Sequence, residues 1–475
     1  MSAGLLAPAD IMNHQTADLG IPADSIRSGA ALVANGDANL FSFEPGSGND
    51  EIRDFVVGRD FIDLSAYGLT TATVDPSGFD GFSYDGTNDE TTIDLNGVDT
   101  IVVKGVDLTI EDPADVFIID LINGTSGDDN GASALNGTAA NEVIDGFDGS
   151  DEINGGDGND MLLSGGTDLA TGFDDLSGGN GNDILVAEGG SVYLRGEAGN
   201  DVLKATNEFG DPNWDYVFGV YDNSPGAIVA NLTSGTPSSG TPSTMPGSMQ
   251  IDDGWGTTDT VSGLNVIVGS AFNDFIYVDG DYRNSQGANR IEVRPGDGDD
   301  FMDFTNMTGS ARVSYADAGE GVNADLDTGI ATENVAGVQD LIGTDTFVGA
   351  NELRGSDYAD ILYGNSGENR LRGQGGDDTI VGEGGNDRLE GGAGADTFVF
   401  LFSDGSDEID DFDFLSDGDQ LDVSAIAVDS SGFGFTYDAG SGDTTIAFNN
   451  GTGDELVLHN FDYQTLGNVD DIFIF

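Results

Sequence analysis

Aspartate residues recur at one position of a nine-residue repeat, and their carboxylates are the side chains best suited to chemistry in this sequence. Glycine occupies the turn positions of the repeat, Asp stands sixth and an apolar residue stands eighth, as in GGDGNDMLL (155–163) and GQGGDDTIV (373–381). Carboxylate and turn carbonyl oxygens favour hard cations such as Ca²⁺. We therefore predict several bound Ca²⁺ ions along the repeats.

The composition excludes softer metal chemistry and several kinds of partner. The chain has no cysteine and only two histidines, His14 and His459, which excludes thiolate zinc sites, disulfides and imidazole-rich transition-metal sites. Its 87 acidic residues oppose 14 Lys and Arg, which gives a formal net charge of -73. Such a polyanion repels nucleic acid and anionic membrane surfaces, and no apolar run is long enough for a membrane helix. We predict neither a nucleic-acid partner nor a membrane span.

Charge and hydrophobicity together indicate a fold that depends on cations. A chain with this charge usually stays disordered, because its carboxylates repel one another. Yet 37% of the residues are hydrophobic, and they include 27 Phe. We expect the chain to fold only when cations neutralise its carboxylates.

The nine-residue period is strict in two blocks. Residues 346–399 divide into six nonamers and residues 128–163 into four, and after an insertion at 164–168 the frame resumes for four more. Glycines permit tight turns, and the last three residues of each nonamer suit a short strand with one inward side chain. Two nonamers then make one coil of a parallel β-roll, with turns on two flanks and a thin aliphatic core. The predicted inward residues of the second block are Leu353, Leu362, Leu371, Ile380, Leu389 and Phe398.

The candidate calcium ligands are the sixth-position carboxylates, their counterparts in less regular segments and the neighbouring turn glycines. Residues eighteen apart, such as Asp360, Asp378 and Asp396, are expected to stack in one column on one flank. The carboxylates are Asp50, Asp151, Asp160, Asp174, Asp183, Asp201, Asp274, Asp300, Asp360, Asp378, Asp387, Asp396 and Asp407. The glycines are Gly156, Gly158, Gly179, Gly181, Gly376 and Gly385. Ser133, Glu142, Val192, Asn351 and Asn369 replace the Asp, and we expect weaker or absent sites there.

These nonamers resemble the RTX, or hemolysin-type, calcium-binding repeat G-G-x-G-x-D-x-U-x, in which U is aliphatic. The resemblance implies an all-β fold, a parallel β-roll or β-solenoid with calcium-binding nonapeptide turns and β-rich cap modules. It also implies a secreted, extracellular or cell-surface protein that leaves the cell by type I secretion. The acidic and apolar end, residues 470–475, is similar to the uncleaved signal of that route, and it also fits the last strand of a cap. The N-terminal residues lack the pattern of a secretory signal peptide.

A second repeat relates the two ends of the chain. Residues 33–119 and 390–475 look like copies of one module, since FSFEPGSGNDEIRDF (41–55) parallels FVFLFSDGSDEIDDF (398–412). The module resembles the C-terminal cap of RTX rolls and of serralysin-type proteases. A cap covers the edge strands and core that an open coil exposes.

These patterns predict six segments. They are an N-terminal segment (1–32), a first β cap module (33–119), a first β-roll (120–204), an irregular β-solenoid or insert (205–345), a second β-roll (346–399), and a second cap module with the secretion signal (400–475). Within the irregular segment, residues 224–235 and 319–329 are related, and residues 233–248 are expected to form a surface loop.

The sequence contains none of the common enzyme motifs. Two histidines cannot form H-E-x-x-H, G-x-S-x-G and a P-loop are missing, and no cysteine nucleophile exists. We expect His459 to be structural and the chain to have no enzymatic activity. A carboxylate pair acting on a polysaccharide stays open as a weaker alternative.

The leading functional prediction is a secreted structural protein that assembles with Ca²⁺ into an extracellular layer, filament or matrix. It rests on the fact that nearly the whole chain is roll or cap, and on a first cap module with no roll before it, which favours head-to-tail assembly of identical copies. The alternative is an adhesin or a module that binds a carbohydrate or cell-surface polysaccharide through residues 205–345. An exposed cluster of Trp214, Tyr216, Tyr221 and Trp255 would favour that alternative.

Overall fold

Short β-strands dominate the structure, a computed structural model, as the alternation of apolar and polar residues predicts. It describes residues 31–33, 40–43, 49–53, 61–64, 82–95, 100–106, 108, 117–118, 120–165, 173–205, 216–232, 249–280, 282, 284, 288–334, 342–401, 404–426, 432–448, 453–466 and 468–475. The only helices in these ranges are short 3-10 turns at Gly131–Ser133, Tyr463–Thr465 and Val469–Ile472. In the same ranges, no helix has the length and apolar character needed to cross a membrane. Trp214 and residues 233–248 lie outside the described residues.

The strands are numbered along the chain. The first module and the first strand after it comprise β1 (Ala31–Val33), β2 (Leu40–Ser42), β3 (Asn49–Arg53), β4 (Phe61–Asp63), β5 (Phe82–Asp85), β6 (Glu90–Asp94), β7 (Thr100–Lys104), β8 (Phe117–Ile118) and β9 (Asp120–Asn123). The next group is β10 (Leu135–Asn136), β11 (Glu142–Asp145), β12 (Glu152–Asp157), β13 (Met161–Leu163), β14 (Phe173–Asn180), β15 (Ile184–Ala187), β16 (Ser191–Ala198), β17 (Val202–Ala205) and β18 (Val217–Val220).

The middle of the chain contributes β19 (Val229–Leu232), β20 (Gln250–Asp252), β21 (Thr258–Ser262), β22 (Val266–Val268), β23 (Phe275–Val278), β24 (Arg290–Arg294), β25 (Phe301–Asp303), β26 (Ser310–Ser314), β27 (Val322–Asp325), β28 (Ile330–Glu333) and β29 (Asp345–Val348). The last group is β30 (Glu352–Arg354), β31 (Ile361–Asn365), β32 (Arg370–Gly375), β33 (Thr379–Glu383), β34 (Arg388–Ala393), β35 (Thr397–Val399), β36 (Ser406–Ile409), β37 (Gln420–Asp422), β38 (Phe433–Asp438), β39 (Asp443–Phe448), β40 (Glu455–Leu458) and β41 (Phe473–Ile474).

The chain divides into two compact units. The first contains Met1–Val220 and Trp255–Leu264, and the second contains Tyr221–Gly254 and Asn265–Phe475. Each unit holds part of a parallel β-roll, which confirms the predicted all-β fold.

In the first unit, two parallel sheets face each other across a core of mainly aliphatic side chains. One sheet runs β9-β11-β13-β15-β17-β21 and the other β10-β12-β14-β16-β18. Ile144 pairs with Leu162, 18 residues on, and Leu162 pairs with Leu185, 23 residues on. The longer step accommodates the insertion seen in the sequence. All three side chains are buried.

The second unit repeats this arrangement over the later coils. One sheet contains β22-β24-β26-β30-β32-β34-β36-β40, and the other contains β27-β31-β33-β35-β37-β41. Parallel pairing also joins β19, β23, β25 and β29. The six predicted inward residues of the second block are all fully buried, so the nine-residue frame is confirmed there.

The modules at the two ends of the chain share one strand order. In the first module, β1, β3 and β7 pair in that order and are parallel. β6 then pairs antiparallel with β7, and β5 pairs antiparallel with β6. In the second, β34, β36, β40, β39 and β38 follow the same order and directions. The smaller sheets β2-β4-β8 and β35-β37-β41 also correspond.

Turn glycines allow successive coils to stack closely. Gly181 has φ +142°, and a Cβ there would overlap the carbonyl oxygen of Gly158 in the preceding coil. Only a residue without a side chain fits both the backbone conformation and this approach.

Replacing Gly181 with Ala should destabilise the first unit by about 3 kcal/mol or more, from the positive φ and the overlap together. Gly190→Ala is the matched control, because Gly190 has φ +73° with no atom near a Cβ, and it should cost about 1 kcal/mol. Denaturant unfolding of both variants in saturating Ca²⁺ measures the difference. Equal losses would show that close stacking of the turns does not require glycine.

Candidate metal centres

The sixth-position aspartates lie in columns along the flanks of the coils. The backbone N–H of Asp360 donates to Oδ1 of Asp378 at 2.8 Å, and the N–H of Asp378 donates to Oδ1 of Asp396 at 2.9 Å. In the first unit, Asp160 donates in the same way to Asp183 at 2.7 Å. One oxygen of each carboxylate is therefore fixed by the neighbouring coil.

The second oxygen of these carboxylates is buried. The Oδ2 atoms of six column residues accept no hydrogen bond from the described part of the chain: Asp160, Asp183, Asp300, Asp378, Asp387 and Asp396. A buried ionised oxygen without a partner is strongly destabilising, so it calls for a cation.

Backbone carbonyls share the space in front of these oxygens. A Cβ at Gly155 would lie 2.5 Å from Oδ2 of Asp160 and 2.6 Å from the carbonyl oxygen of Gly178. Gly382 has the same relation to Asp387, whose Oδ2 would lie 2.6 Å from a Cβ. The glycine that opens each nonamer keeps this space free. A site with one or two carboxylates and several carbonyl oxygens fits Ca²⁺, which takes 6 to 8 oxygen ligands.

The sites do not depend on clusters of side chains. Among the described residues, no group of three or more Asp, Glu or His side chains is placed to hold a metal ion. The remaining ligands of a Ca²⁺ ion would have to be backbone carbonyls, as the stacked turns allow.

Burial raises the pKa of the column carboxyls. The pKa rises to about 8 for Asp160 and Asp378 and to about 9 for Asp300, and burial is the largest cause. Repulsion from neighbouring carboxylates adds to it, as with Asp360 and Asp396 beside Asp378. Each column is therefore stable only when protons or metal cations neutralise it.

The structure brings the predicted ligands into separate columns. In the first unit they are Asp151 with Asp174, and Asp160 with Asp183 and Asp201. In the second they are Asp274 with Asp300, Asp360 with Asp378 and Asp396, and Asp387 with Asp407. All of these side chains are buried. Asp50 lies in β3, and its side chain is outside the described part of the structure.

The six candidate glycines all have positive φ. The angles are +104° for Gly156, +122° for Gly158, +103° for Gly179, +142° for Gly181, +108° for Gly376 and +138° for Gly385. This conformation turns the chain sharply, and it places each glycine against the backbone of the previous coil.

At two of the turns that lack the sixth-position Asp, Glu142 and Asn369, the N–H still donates to a column aspartate, but the side-chain oxygen has another partner. The N–H of Asn369 still donates to Oδ1 of Asp387 at 2.9 Å. The amide oxygen of Asn369 instead accepts from the N–H of Asn365 at 2.7 Å. Glu142 similarly turns its carboxylate to Thr138. This geometry supports the prediction of weaker or absent sites at these turns.

Sequence reasoning missed four aspartates that extend the columns. They are Asp129, Asp259, Asp345 and Asp419, each one hydrogen bond beyond a predicted ligand. Asp345 accepts from the hydroxyl of Tyr315 at 2.9 Å, and Asp419 accepts from the N–H of Asp413 at 2.7 Å. Both carboxylates are therefore satisfied by the protein, and they end their columns. One sequence feature could have identified such a residue: an Asp two positions before a buried strand residue, as with Asp345 and Phe347.

Comparison with known families supports the calcium assignment. The model of the RTX calcium-binding nonapeptide repeat (4 copies) matches residues 129–162, 171–206, 259–281, 345–380 and 363–398. These segments hold most of the columns, and RTX nonapeptide repeats bind multiple Ca²⁺ ions. No curated protein matches the chain.

Replacing Asp378 with Ala should weaken calcium binding to the second unit by about tenfold or more, because it removes a buried carboxylate oxygen from the column. Asp357→Ala is the control, since Asp357 is an exposed acid of the same coils. Calcium titration followed by calorimetry compares the two variants. Equal losses of affinity would mean that the assigned column is wrong.

Removing Ca²⁺ with a chelator at pH 8 should unfold the rolls, and acid should partly restore them. Folding raises the pKa values of the column carboxyls from 3.8 to between about 6 and about 9, so the calcium-free fold loses stability as pH rises from about 4 to about 9. Circular dichroism in the presence of chelator should therefore show more β-structure at pH 5.5 than at pH 8. These two pH values are about 2.5 units apart and both lie inside that window. An unchanged β signal after complete calcium removal at pH 8 would contradict the requirement for metal.

Proposed function

We propose that this chain, which carries RTX calcium-binding nonapeptide repeats, is a secreted structural protein whose copies join head to tail into an extracellular layer, filament or matrix when Ca²⁺ binds. The calcium-binding repeats are the observation on which the proposal rests, since they are typical of secreted proteins. The assembly step rests on the strands at the N-terminal end.

Within the described part of the chain, the first module has two edge strands whose counterparts in the second module pair on both sides. β34 pairs with β36 on one side and with β32 on the other, and β35 lies between β33 and β37. The corresponding strands β1 and β2 each have one strand neighbour among the described residues, β3 and β4 respectively. Because the module is built to follow a coil, its coil-facing side is a template for further strand pairing.

A second copy of the chain is the partner that this side fits. The second module ends in the strands β38 and β41, which also have one described strand neighbour each. Donor and acceptor surfaces differ, so each contact leaves both surfaces available on the next copy. Such heterologous contacts build filaments or sheets. Ca²⁺ assists by reducing the repulsion between two acidic molecules.

The aromatic cluster proposed for an adhesin is not present in the predicted form. Tyr221 is only 1% exposed, so it belongs to the core. Tyr216 packs against Phe218, with ring centroids 6.2 Å apart. The exposure that would favour an adhesin is therefore not met at Tyr221, which directly follows the buried strand β18. Tyr216 and Trp255 are only partly buried, so the adhesin stays the alternative, and the expectation of no enzymatic activity stays a prediction.

Deleting residues 1–38 should leave calcium-folded chains that stay monomeric, because the deletion removes β1 and the segment leading to β2. Light scattering at millimolar Ca²⁺, on the order expected outside cells, measures assembly, and circular dichroism confirms folding. Deleting residues 1–30 is the control, since β1 is retained and assembly should persist. Normal assembly of the longer deletion, or an intact chain that stays monomeric, would contradict the proposal.

A further inference from the structure

Half of the basic residues lie together on one sheet of the second unit. Of the 14 Lys and Arg in the chain, seven stand on β24, β26, β30, β32 and β34. They are Arg290, Arg294, Arg312, Arg354, Arg370, Arg372 and Arg388. On these strands the arginines alternate with buried residues such as Leu353, Leu371 and Leu389, so they share the outward face. We call this surface the arginine face.

At one end of the arginine face, acidic neighbours satisfy the guanidinium groups. Arg312 contacts Glu292 at 2.8 Å and Glu352 at 2.5 Å. Arg294 contacts Glu292 at 2.9 Å and Asp317 at 2.8 Å. These pairs are the alternating charges expected of a structural ladder between strands.

At the other end, like charges oppose each other. Strand register places Arg370 between Glu352 and Arg388, so one of its two neighbours is a like charge. Arg372 likewise lies between Arg354 and Glu390. Nε of Arg370 is buried and has no hydrogen-bond partner, and Arg370 forms no ion pair among the described residues. Burial, followed by repulsion from Arg372 and Arg388, lowers the pKa of Arg370. A purely structural ladder would not bring these charges together, because opposed like charges are destabilising.

An open cleft of about 630 Å³ lies over this end. The residues that line it include Arg370, Arg372 and Arg388 on the strands, and Asp443 and His459 from the second module.

The acids of the cleft already have partners. Glu390 pairs with Arg372 at 2.9 Å, and Asp410 pairs with Arg388 at 2.7 Å. Asp411 accepts from the N–H groups of Gly391 and Gly392, at 3.0 and 2.8 Å. Asp443 accepts from the N–H of Asn460 at 3.0 Å and lies 3.3 Å from Nδ1 of His459. Among the described residues, Arg370 has no carboxylate within ion-pair distance, because its register neighbour Glu352 contacts Arg312 instead.

We propose that this cleft binds an oxyanion at Arg370, and that the ligand is an acidic polysaccharide carrying carboxylate or sulfate groups. A guanidinium presents a planar fork of donors that matches such groups. The arginines repeat from strand to strand, at a spacing of about 4.8 Å, and the cleft is open, so a chain with repeated anionic groups fits better than a single small ion. The inference does not require the chain to self-assemble.

The test compares Arg370→Gln with the intact protein, both saturated with Ca²⁺. Arg195→Gln is the matched control, because Arg195 is also on an outward strand face but pairs with Asp175 in the first unit. The probes are inorganic sulfate, trigalacturonate and a neutral galactose trisaccharide, added to each protein at constant ionic strength. Calorimetry measures binding, and thermal unfolding without the probes measures stability.

We expect trigalacturonate to bind the intact protein and Arg195→Gln with the same affinity. Sulfate should bind more weakly, and the neutral trisaccharide should not bind. Arg370→Gln should weaken trigalacturonate binding by about tenfold or more. The same variant should keep or raise the unfolding temperature, because it relieves repulsion, whereas a purely structural arginine would lower it. Unchanged trigalacturonate binding in Arg370→Gln would overturn the site. Binding of sulfate without trigalacturonate would overturn the assignment to a polysaccharide.

Discussion

The fold depends on buried carboxylates that the protein itself only half satisfies. In most columns, one carboxylate oxygen accepts an N–H from the neighbouring coil, while the other, as in Asp378 and Asp396, accepts no hydrogen bond from the described residues. Asp274 and Asp360 differ, because their second oxygens accept the N–H groups of Ser270 and Ser356. A cation placed beside an oxygen such as Oδ2 of Asp378 binds to oxygens of two successive coils and removes their repulsion. Without it, folding must bury ionised groups at a cost of several kcal/mol each. Metal binding and coil stacking are thus one event.

The core is too thin to compensate for that cost. Each strand is short and contributes few inward residues, such as Leu371 or Ile380, between flanks that are mainly turn. A roll therefore gains less from hydrophobic burial than a domain with a thick core. Where Ca²⁺ is scarce, this balance favours an unfolded chain, and where Ca²⁺ is plentiful it favours the roll. Such a chain is suited to export in an unfolded state, which agrees with its proposed secretion.

The sequence predicted the fold wherever its period was unbroken. The nine-residue frame predicted the inward residues from Leu353 to Phe398 and the stacking of Asp360, Asp378 and Asp396, because each step in register equals two nonamers. It missed Asp259 and Asp345, since hairpins such as β27-β28 interrupt the period and change the step. The arginine face was also missed. The sequence separation between paired residues varies on this sheet, since Arg312 lies beside Glu352 but Arg354 lies beside Arg372. Only the strand register of the structure shows these pairings.

The arginine face and the columns offset the negative charge of the chain in different ways. β30 and β32 begin directly after Asn351 and Asn369, the two turns of the second block where Asp is replaced. Because these turns lack the carboxylate, we expect Ca²⁺ to bind there weakly or not at all, which would leave that flank with less positive charge from metal ions. Arginines on the adjoining strands supply positive charge instead, and at Arg370 they supply more than the nearby acids neutralise. A chain with a formal net charge of -73 thus concentrates half of its basic side chains on one surface of the second unit.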